Sequence, residues 1–229
     1  MFPSVQSGFR KFSEKFEGSI PHMYLDVKGL LTVGVGNLIE PVEEAQKLPF
    51  RFKNKPGVAA PGSPATPEQI KAEWQKLKTN AGLTHLVARA FEPITDLELS
   101  DESIDALILD RVSSHQAFMK REPWAKDFDD WPADAQLGLL SMAWAMGPAG
   151  PGQFAHFRAA CQRHDFATAA KECKMDETGN PGLAPRNQAN FTLFSNAAIV
   201  IEGESAGTYQ RSVLYYPEAL QNPATSRIT

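Results

Sequence analysis

The sequence predicts a mainly helical α+β protein, in which a small antiparallel sheet precedes a larger helical lobe. Three observations support this class. A short stretch near the start combines β-branched residues with regularly spaced glycines, most later segments show helical periodicity, and one of them is apolar nearly all round. The chain has 229 residues, which suits a single two-lobed domain over 1–229 with enough length to bury a core.

The first predicted elements are a helix and the sheet. Three phenylalanines at helical spacing form one apolar face, and the helix is predicted to end at Gly18. They are Phe9, Phe12 and Phe16. The following segment, HMYLDVKGLLTVGVGNLIEP, has short apolar runs and glycines typical of a small antiparallel sheet. Residues 41–66 are rich in proline, glycine and lysine, so we predict a long, exposed, inserted loop there.

Helices are predicted for most of the remaining chain. Thr66, Pro67 and Gln69 form a capping box with proline at the first helical position, which starts a helix. A further helix is expected to begin at Ser100, and the apolar segment 132–147 is expected to be the central buried helix. Two short helices are expected to meet near His164–Asp165, and a last helix is expected from Pro185 to Gly203. Residues 203–229 look like an irregular C-terminal extension.

Composition and charge exclude several classes of protein. The formal net charge of −4 argues against broad nucleic-acid binding, which needs a basic surface. The chain contains no run of about 18 apolar residues, so no membrane span is predicted. The first residues lack an apolar signal core, so we expect synthesis in the cytoplasm and export by a route other than a signal peptide. Cys161 and Cys173 are expected to be buried thiols, and no cofactor or metal is expected because no Cys/His ligand spacing occurs.

The segment from Glu17 to Asn37 carries the strongest chemical signal. Taken singly, Glu17 can be a helix-end residue, Asp26 a turn former and Thr32 an ordinary strand residue. Taken together, two carboxylates across a groove are the equipment of glycoside hydrolysis, one as the acid and one to handle water or the oxocarbenium ion. Glycines at 34 and 36 weaken a strand, and they make sense where another chain must approach closely.

The same residues resemble a family. The pattern Glu-Gly, then Tyr-x-Asp-x-x-Gly-x-x-Thr-x-Gly-x-Gly, is similar to that of the phage-type lysozymes, the muramidases of bacteriophage endolysins, and it is present here without a gap from Glu17 to Gly36. Residues 141–150 (SMAWAMGPAG) resemble the family's central helix, and residues 182–194 (GLAPRNQANFTLF) resemble its Gly-Leu-x-x-Arg segment. The resemblance covers the first 40 residues well and about 137–200 moderately.

The resemblance implies a lysozyme-like fold and a role for each matching position. Glu17 takes the position of the general acid, Asp26 that of the carboxylate that places or activates water, and Thr32 that of the threonine that positions the same water. The implied reaction is inverting hydrolysis of the bond between N-acetylmuramic acid and N-acetylglucosamine. The positions implied to bind or border the substrate are Gly36, Leu38, Trp144 and Arg186.

Two departures from the family pattern bear on these expectations. Asn37 stands where the family often has a histidine of a supporting ion pair, which concerns stability or pH response more than chemistry. Ala145 stands where an asparagine or glutamine is frequent, which removes one expected hydrogen bond to the substrate. A general acid must also be protonated, and we expect burial near Phe16 and Trp144 to raise the pKa of Glu17, whereas a close Arg186 would lower it.

Other functions stay open at this stage. The chain can be a non-catalytic module that binds the wall or a protein partner, or a related glycosidase that acts on chitin-like polymers. As a muramidase it would bind peptidoglycan glycan strands and act in the periplasm, either as a phage endolysin after holin-type release or as an effector delivered by a secretion system. An effector would imply an immunity protein as a partner.

Overall fold

Helices account for most of the chain, and its strands form two small antiparallel sheets. The computed structural model describes residues 1–26, 28–58, 60–83 and 86–221. The α-helices are α1 (Pro3–Glu17), α2 (Val42–Gln46), α3 (Pro67–Lys78), α4 (Asp101–Met119), α5 (Ala133–Met146), α6 (Ala155–Gln162), α7 (Phe166–Glu172) and α8 (Leu183–Glu204). The strands are β1 (Ile20–Leu25), β2 (Leu31–Gly34), β3 (Asn37–Leu38), β4 (Arg51–Phe52) and β5 (Leu97–Glu98). Short 3-10 helices cover Ala81–Leu83, Ala88–Ile94, Phe128–Asp130 and Pro151–Gln153. The predicted class, α+β and mainly α with a small antiparallel sheet, is confirmed.

The chain divides into two compact units, which we name the sheet unit and the helical unit. The sheet unit is residues 13–110, and the helical unit combines residues 1–12 with 111–229. Residue 59 of the predicted loop and residues 222–229 of the predicted extension lie outside the described residues. Among the described helices, none is both long enough and apolar enough to cross a membrane.

The main sheet of the sheet unit has the order β1–β2–β3, and each neighbouring pair is antiparallel. Leu25 pairs with Leu31, and Val33 pairs with Asn37. All four residues are buried, with exposed fractions of 3% or less. Side chains alternate between the two faces of a strand, so these residues define one buried face of the sheet.

The prediction of a long exposed loop over residues 41–66 is wrong for its first part. This stretch contains α2 and β4, and both Ala45 and Phe50 are buried. β4 pairs with β5, which lies much later in the chain, with Arg51 opposite Glu98 and Phe52 opposite Leu97. Because the pairing partner is distant in sequence, the local proline, glycine and lysine content does not reveal it.

Two lysines of this stretch, Lys53 and Lys55, donate hydrogen bonds to oxygens of residues 92–95. Lys53 is 6% exposed, and its Nζ donates to Thr95 Oγ1 at 2.6 Å and to the Glu92 carbonyl at 2.8 Å. Lys55 Nζ donates to the Thr95 carbonyl at 2.6 Å. These ammonium groups therefore satisfy carbonyls at the end of the 3-10 helix Ala88–Ile94. Burial, with a smaller effect of the Lys55 charge, lowers the pKa of Lys53.

α3 begins as the sequence predicts. Thr66 Oγ1 accepts a hydrogen bond from the Gln69 main-chain N–H, and Gln69 Oε1 accepts one from the Thr66 N–H at 2.8 Å. Pro67 is the first helical residue, where its missing N–H leaves no intrahelical bond unmade. Both halves of the capping box are thus present, and the helix boundary is confirmed.

α5 is the buried helix of the helical unit, as predicted. Residues 133–144 are all buried, and α5 packs along α8. Gly138 permits this approach, because a Cβ at that position would lie 2.9 Å from the Phe194 ring on α8. Phe194 also meets Phe157 of α6 edge-on, with ring centroids 5.1 Å apart. Close packing of this kind explains why α5 has no polar stripe.

The short helix pair of the helical unit is confirmed at the predicted joint. α6 ends before His164, which has a φ of 55°, and Asp165 caps α7 by accepting from the Thr168 N–H at 3.0 Å. Cys161 and Cys173 are free and buried, in agreement with the prediction of buried thiols. Burial raises the pKa of both thiols, so they stay protonated and unreactive at neutral pH.

The irregular segment 205–221 is held to the helical unit by a buried carboxylate. Asp134 of α5 has no exposed surface; its Oδ2 accepts from the Tyr215 N–H at 2.9 Å, and its Oδ1 accepts from the Tyr216 N–H at 3.0 Å. Asn196 Nδ2 donates to Asp134 Oδ1 at 2.9 Å and to the Glu218 carbonyl at 2.7 Å. Burial raises the pKa of Asp134, and the hydrogen bonds from Tyr215, Asn196 and Tyr216 oppose that rise.

Asp134→Ala is expected to lower the free energy of unfolding by about 2 kcal/mol at pH 7. The substitution leaves buried donors without their acceptor, and this loss exceeds the gain from removing a buried charge. Urea unfolding measures the change, and limited proteolysis measures release of residues 205–221. Asp127→Ala, at an exposed carboxylate, is the matched control and should be near neutral. Equal stability of the two variants would contradict the structural role of Asp134.

Candidate functional site

Glu17 is the last residue of α1 and belongs to the sheet unit. Gly18 follows with a φ of +70°, a left-handed conformation that ends the helix at little steric cost. The Glu17 side chain is exposed. The burial expected from the sequence is therefore wrong, because the helix ends at the surface and brings its last residue to solvent.

The turn between β2 and β3 lies against the Glu17 carboxylate. Gly36 has a φ of +79°, and a Cβ placed on it would lie 3.3 Å from Glu17 Oε2 and 3.6 Å from its Cδ. A side chain at this position would therefore crowd the carboxylate as well as strain the backbone. The glycine was predicted to admit another chain, whereas the group that lies against Gly36 is Glu17 of the same chain.

Asp26 forms the turn between β1 and β2. Its Oδ1 accepts hydrogen bonds from the main-chain N–H groups of Lys28 and Leu30, each at 2.8 Å. The Asp26 N–H donates to the Leu30 carbonyl at 2.9 Å, so the turn is closed from both sides. Asp26 Oδ2 has no hydrogen-bond partner within the described part of the chain. Asp26 is thus a turn former, which is the role that the residue taken singly suggests. Its second carboxylate oxygen is not used by the turn.

A row of side chains crosses the second face of the sheet. Tyr24 of β1 is directly opposite Thr32 of β2, and Thr32 is directly opposite Leu38 of β3. Asp26 directly follows the last residue of β1, two positions after Tyr24. Leu38 is 50% exposed, whereas Thr32 is 5% exposed and its Oγ1 donates to the Leu30 carbonyl at 3.2 Å.

The Tyr24 phenol is affected by the charges of both carboxylates. Burial raises the pKa of this phenol, and the charges of Glu17 and Asp26 raise it further. Both carboxylates thus disfavour ionisation of the same phenol. The arrangement brings Glu17, Asp26, Thr32, Gly36 and Leu38 of the prediction together within the sheet unit.

Asn37 occupies the position of the expected family histidine, and it is buried without a partner. It is 2% exposed, and neither its Oδ1 nor its Nδ2 forms a hydrogen bond to any residue that the structure describes. A buried amide in this state destabilises the fold. The ion pair that a histidine could form is absent here, in agreement with the departure noted in the sequence.

Trp144 and Arg186 belong to the helical unit. The Trp144 ring is 4% exposed and lies against Phe9 (centroids 5.0 Å apart), with the Arg111 guanidinium 4.5 Å above it. Arg186, at 1% exposed, is within 3.4 Å of the Ser141 carbonyl and hydroxyl oxygens. This packing gives both residues a structural role in the helical unit, and the substrate contacts expected of them stay predictions.

His115, whose ring meets that of Trp144 at 6.1 Å, makes stability depend on pH. Burial, with a smaller effect of the Arg111 charge, lowers the pKa of His115 to about 4 from its ordinary 6.5. The unfolded chain therefore takes up a proton at a higher pH than the folded chain. It follows that stability falls as pH falls from 6.5 towards 4.

His115→Phe is expected to remove most of this dependence. Between pH 7 and pH 4.5 the wild type should lose about 2 kcal/mol of unfolding free energy to His115, at roughly 1.4 kcal/mol per pH unit. Denaturant unfolding at the two pH values measures the loss. His156→Phe, at an exposed histidine, is the control and should keep the wild-type slope. A His115→Phe slope equal to that of the control would contradict the prediction.

Tyr24 was given no role of its own in the predictions from the sequence. Tyr24 was part of the quoted motif, and its two-residue spacing from Asp26 was the available signal, since residues two positions apart on a strand share a face. Within the described ranges, no group of three or more His, Cys, Asp or Glu side chains is arranged to hold a metal ion.

Comparison with known proteins adds no identification. No protein-family model matches the chain, and no curated protein matches its sequence. The resemblance to phage-type lysozymes therefore depends on the motif from Glu17 to Gly36 and on the two later segments.

Proposed function

We propose that the protein is a peptidoglycan muramidase that hydrolyses the β-1,4 bond between N-acetylmuramic acid and N-acetylglucosamine with inversion. The observation that carries the proposal is the position of Glu17, whose carboxylate lies against Gly36 in the turn of a sheet that also carries Thr32 beside Leu38, with Asp26 at the end of the first strand. The motif resemblance gives the substrate class, and the geometry gives each residue a compatible position.

The proposed reaction uses Glu17 as the proton donor. Its carboxylic acid protonates the glycosidic oxygen as the bond to the anomeric carbon breaks, and Glu17 is left as a carboxylate. Gly36 leaves room at this carboxyl group, because any side chain there would reach within van der Waals distance of it. The exposed position of Glu17 also lets a polymeric substrate reach it.

Asp26 and Thr32 handle the water in the same proposal. The water donates one proton towards Asp26 Oδ2, which the turn hydrogen bonds leave available, while Oδ1 stays fixed by Lys28 and Leu30. Thr32 Oγ1 donates to the Leu30 carbonyl, so its lone pairs face away from that bond and can accept from the same water. The water oxygen forms the new bond to the anomeric carbon, and its proton passes to Asp26.

Leu38 fits the substrate side of this arrangement. It is a large apolar side chain, 50% exposed, next to Thr32 on the same sheet face. An exposed apolar side chain beside polar groups suits the apolar face of a sugar ring.

The test is hydrolysis of purified, protein-free cell wall by the wild-type chain. We expect turbidity to fall and new reducing ends of N-acetylmuramic acid to appear by mass spectrometry, with the inverted anomer as the first product by NMR. Chitin oligosaccharides are the comparison substrate and distinguish a chitin-type glycosidase. Binding of the wall without release of reducing ends would replace the proposal with a non-catalytic wall-binding module.

A further inference from the structure

We infer that Tyr24 is a positioning residue for the water that Asp26 and Thr32 are proposed to handle, an inference that rests on the proposed function. The first support is the strand register. Tyr24 and Thr32 are direct cross-strand neighbours, and Asp26 follows the last residue of β1, two positions after Tyr24. Cross-strand neighbours have Cβ atoms about 4.5–5.5 Å apart, so Tyr24 and Thr32 are in side-chain contact range, and Asp26 is at the adjoining end of the same strand.

The second support is the state of the Tyr24 hydroxyl. It forms no hydrogen bond to any described residue of the chain, although the residue is only partly exposed. A phenol in this position usually finds a hydrogen-bond partner. A bound water supplies that partner without any change in the fold.

The third support is electrostatic. Burial, together with the charges of Glu17 and Asp26, raises the pKa of the Tyr24 phenol. Tyr24 therefore stays protonated at neutral pH, where it is a hydrogen-bond donor. Asp26 and Thr32 offer acceptor oxygens to a water, so a neutral donor is what completes its hydrogen bonds.

These properties also separate Tyr24 from the acid and the base. A phenol that does not ionise neither gives up nor accepts the proton that is transferred. Its contribution is the orientation of the water between Asp26 Oδ2 and Thr32 Oγ1. The loss of such a group lowers turnover more than substrate binding, because the sugar itself does not depend on it.

The experiment compares Tyr24→Phe with wild type on soluble, uncrosslinked glycan strands. Phenylalanine keeps the ring and removes only the hydroxyl. We expect kcat to fall about tenfold, the factor that one ordinary hydrogen bond supplies, with KM changed less than twofold and the urea midpoint unchanged. Tyr209→Phe, which removes a phenol in the helical unit, is the matched control and should keep wild-type kcat.

A cycle with Thr32→Ala separates positioning from a structural effect. If both residues hold one water, Tyr24→Phe should cost less than threefold in the Thr32→Ala background. An active wild type with a Tyr24→Phe variant of equal kcat overturns the inference and leaves the proposed function standing. A tenfold loss that is fully retained in the Thr32→Ala background also overturns it. A wild type that cleaves no glycan strand overturns the proposed function and this inference together.

Discussion

Glu17→Gln is expected to reduce wall hydrolysis by about 10²–10⁴-fold while the protein stays folded. The amide is nearly isosteric with the carboxyl group, so the contact with Gly36 and the end of α1 are preserved. It cannot deliver the proton that the leaving oxygen requires. Turbidity loss and release of reducing ends measure the rate, and circular dichroism with urea unfolding measures the fold.

Glu44→Gln is the matched control for this variant. Glu44 is an exposed carboxylate of α2 that pairs with Lys47 at 2.6 Å, and exposed pairs of this kind contribute little to stability. We expect wild-type hydrolysis from it. A folded Glu17→Gln protein with a wild-type rate would remove Glu17 as the acid, and the proposed reaction would then lack a proton donor.

The exposure of Glu17 makes one further demand on the proposal. A general acid is effective when its environment favours the protonated form, and burial is a common way to achieve this. A saccharide bound beside Leu38 and Gly36 would cover the carboxyl group and exclude water from it. The rate of hydrolysis should therefore respond to substrate length, because longer strands cover more of the sheet face.

Local signals in the sequence predicted the elements whose stability is local. The capping box at Thr66 and Gln69 and the joint at His164–Asp165 depend on residues three or four positions apart, and both are present. The apolar character of residues 132–147 was enough to identify α5 as a buried helix. In each case the residues that stabilise the element are close together in the chain.

Contacts between distant segments were not predictable in the same way. β4 exists because it pairs with β5, and Lys53 is buried because carbonyls near Thr95 bind it. The segment 205–221 was correctly predicted to be irregular, but the carboxylate of Asp134 that fixes it gives no signal in the local sequence. Long-range pairings of this kind are set by the tertiary structure and not by propensity.

In the candidate site, some positions were predictable from the sequence and others were not. The motif predicted which residues to examine, and strand register places Thr32 between Tyr24 and Leu38, with Asp26 just after the end of β1. The exposure of Glu17 and the position inferred for Tyr24 were missed, because each depends on where a helix ends relative to the sheet. Spacing alone does not fix that relation.

Asp26→Asn and Thr32→Ala are each expected to lower kcat by about 10²-fold or more, the range in which a single acid–base or positioning group contributes. Asparagine keeps an oxygen that can accept from the Lys28 and Leu30 N–H groups, so the turn should survive and the loss should be chemical. Thr32→Ser retains the hydroxyl and should recover most of the activity that Thr32→Ala loses. Steady-state kinetics on soluble glycan strands measure both effects.

The double variant decides whether the two residues act on one water. If they do, removing the second group adds little once the first is gone, and the combined loss should be well below the product of the single losses. The register supports this expectation, since Thr32 lies opposite Tyr24 and Asp26 follows the end of the same strand, two positions after Tyr24. Losses that multiply would mean that Asp26 and Thr32 act independently, and the water would then have to be assigned to Asp26 alone.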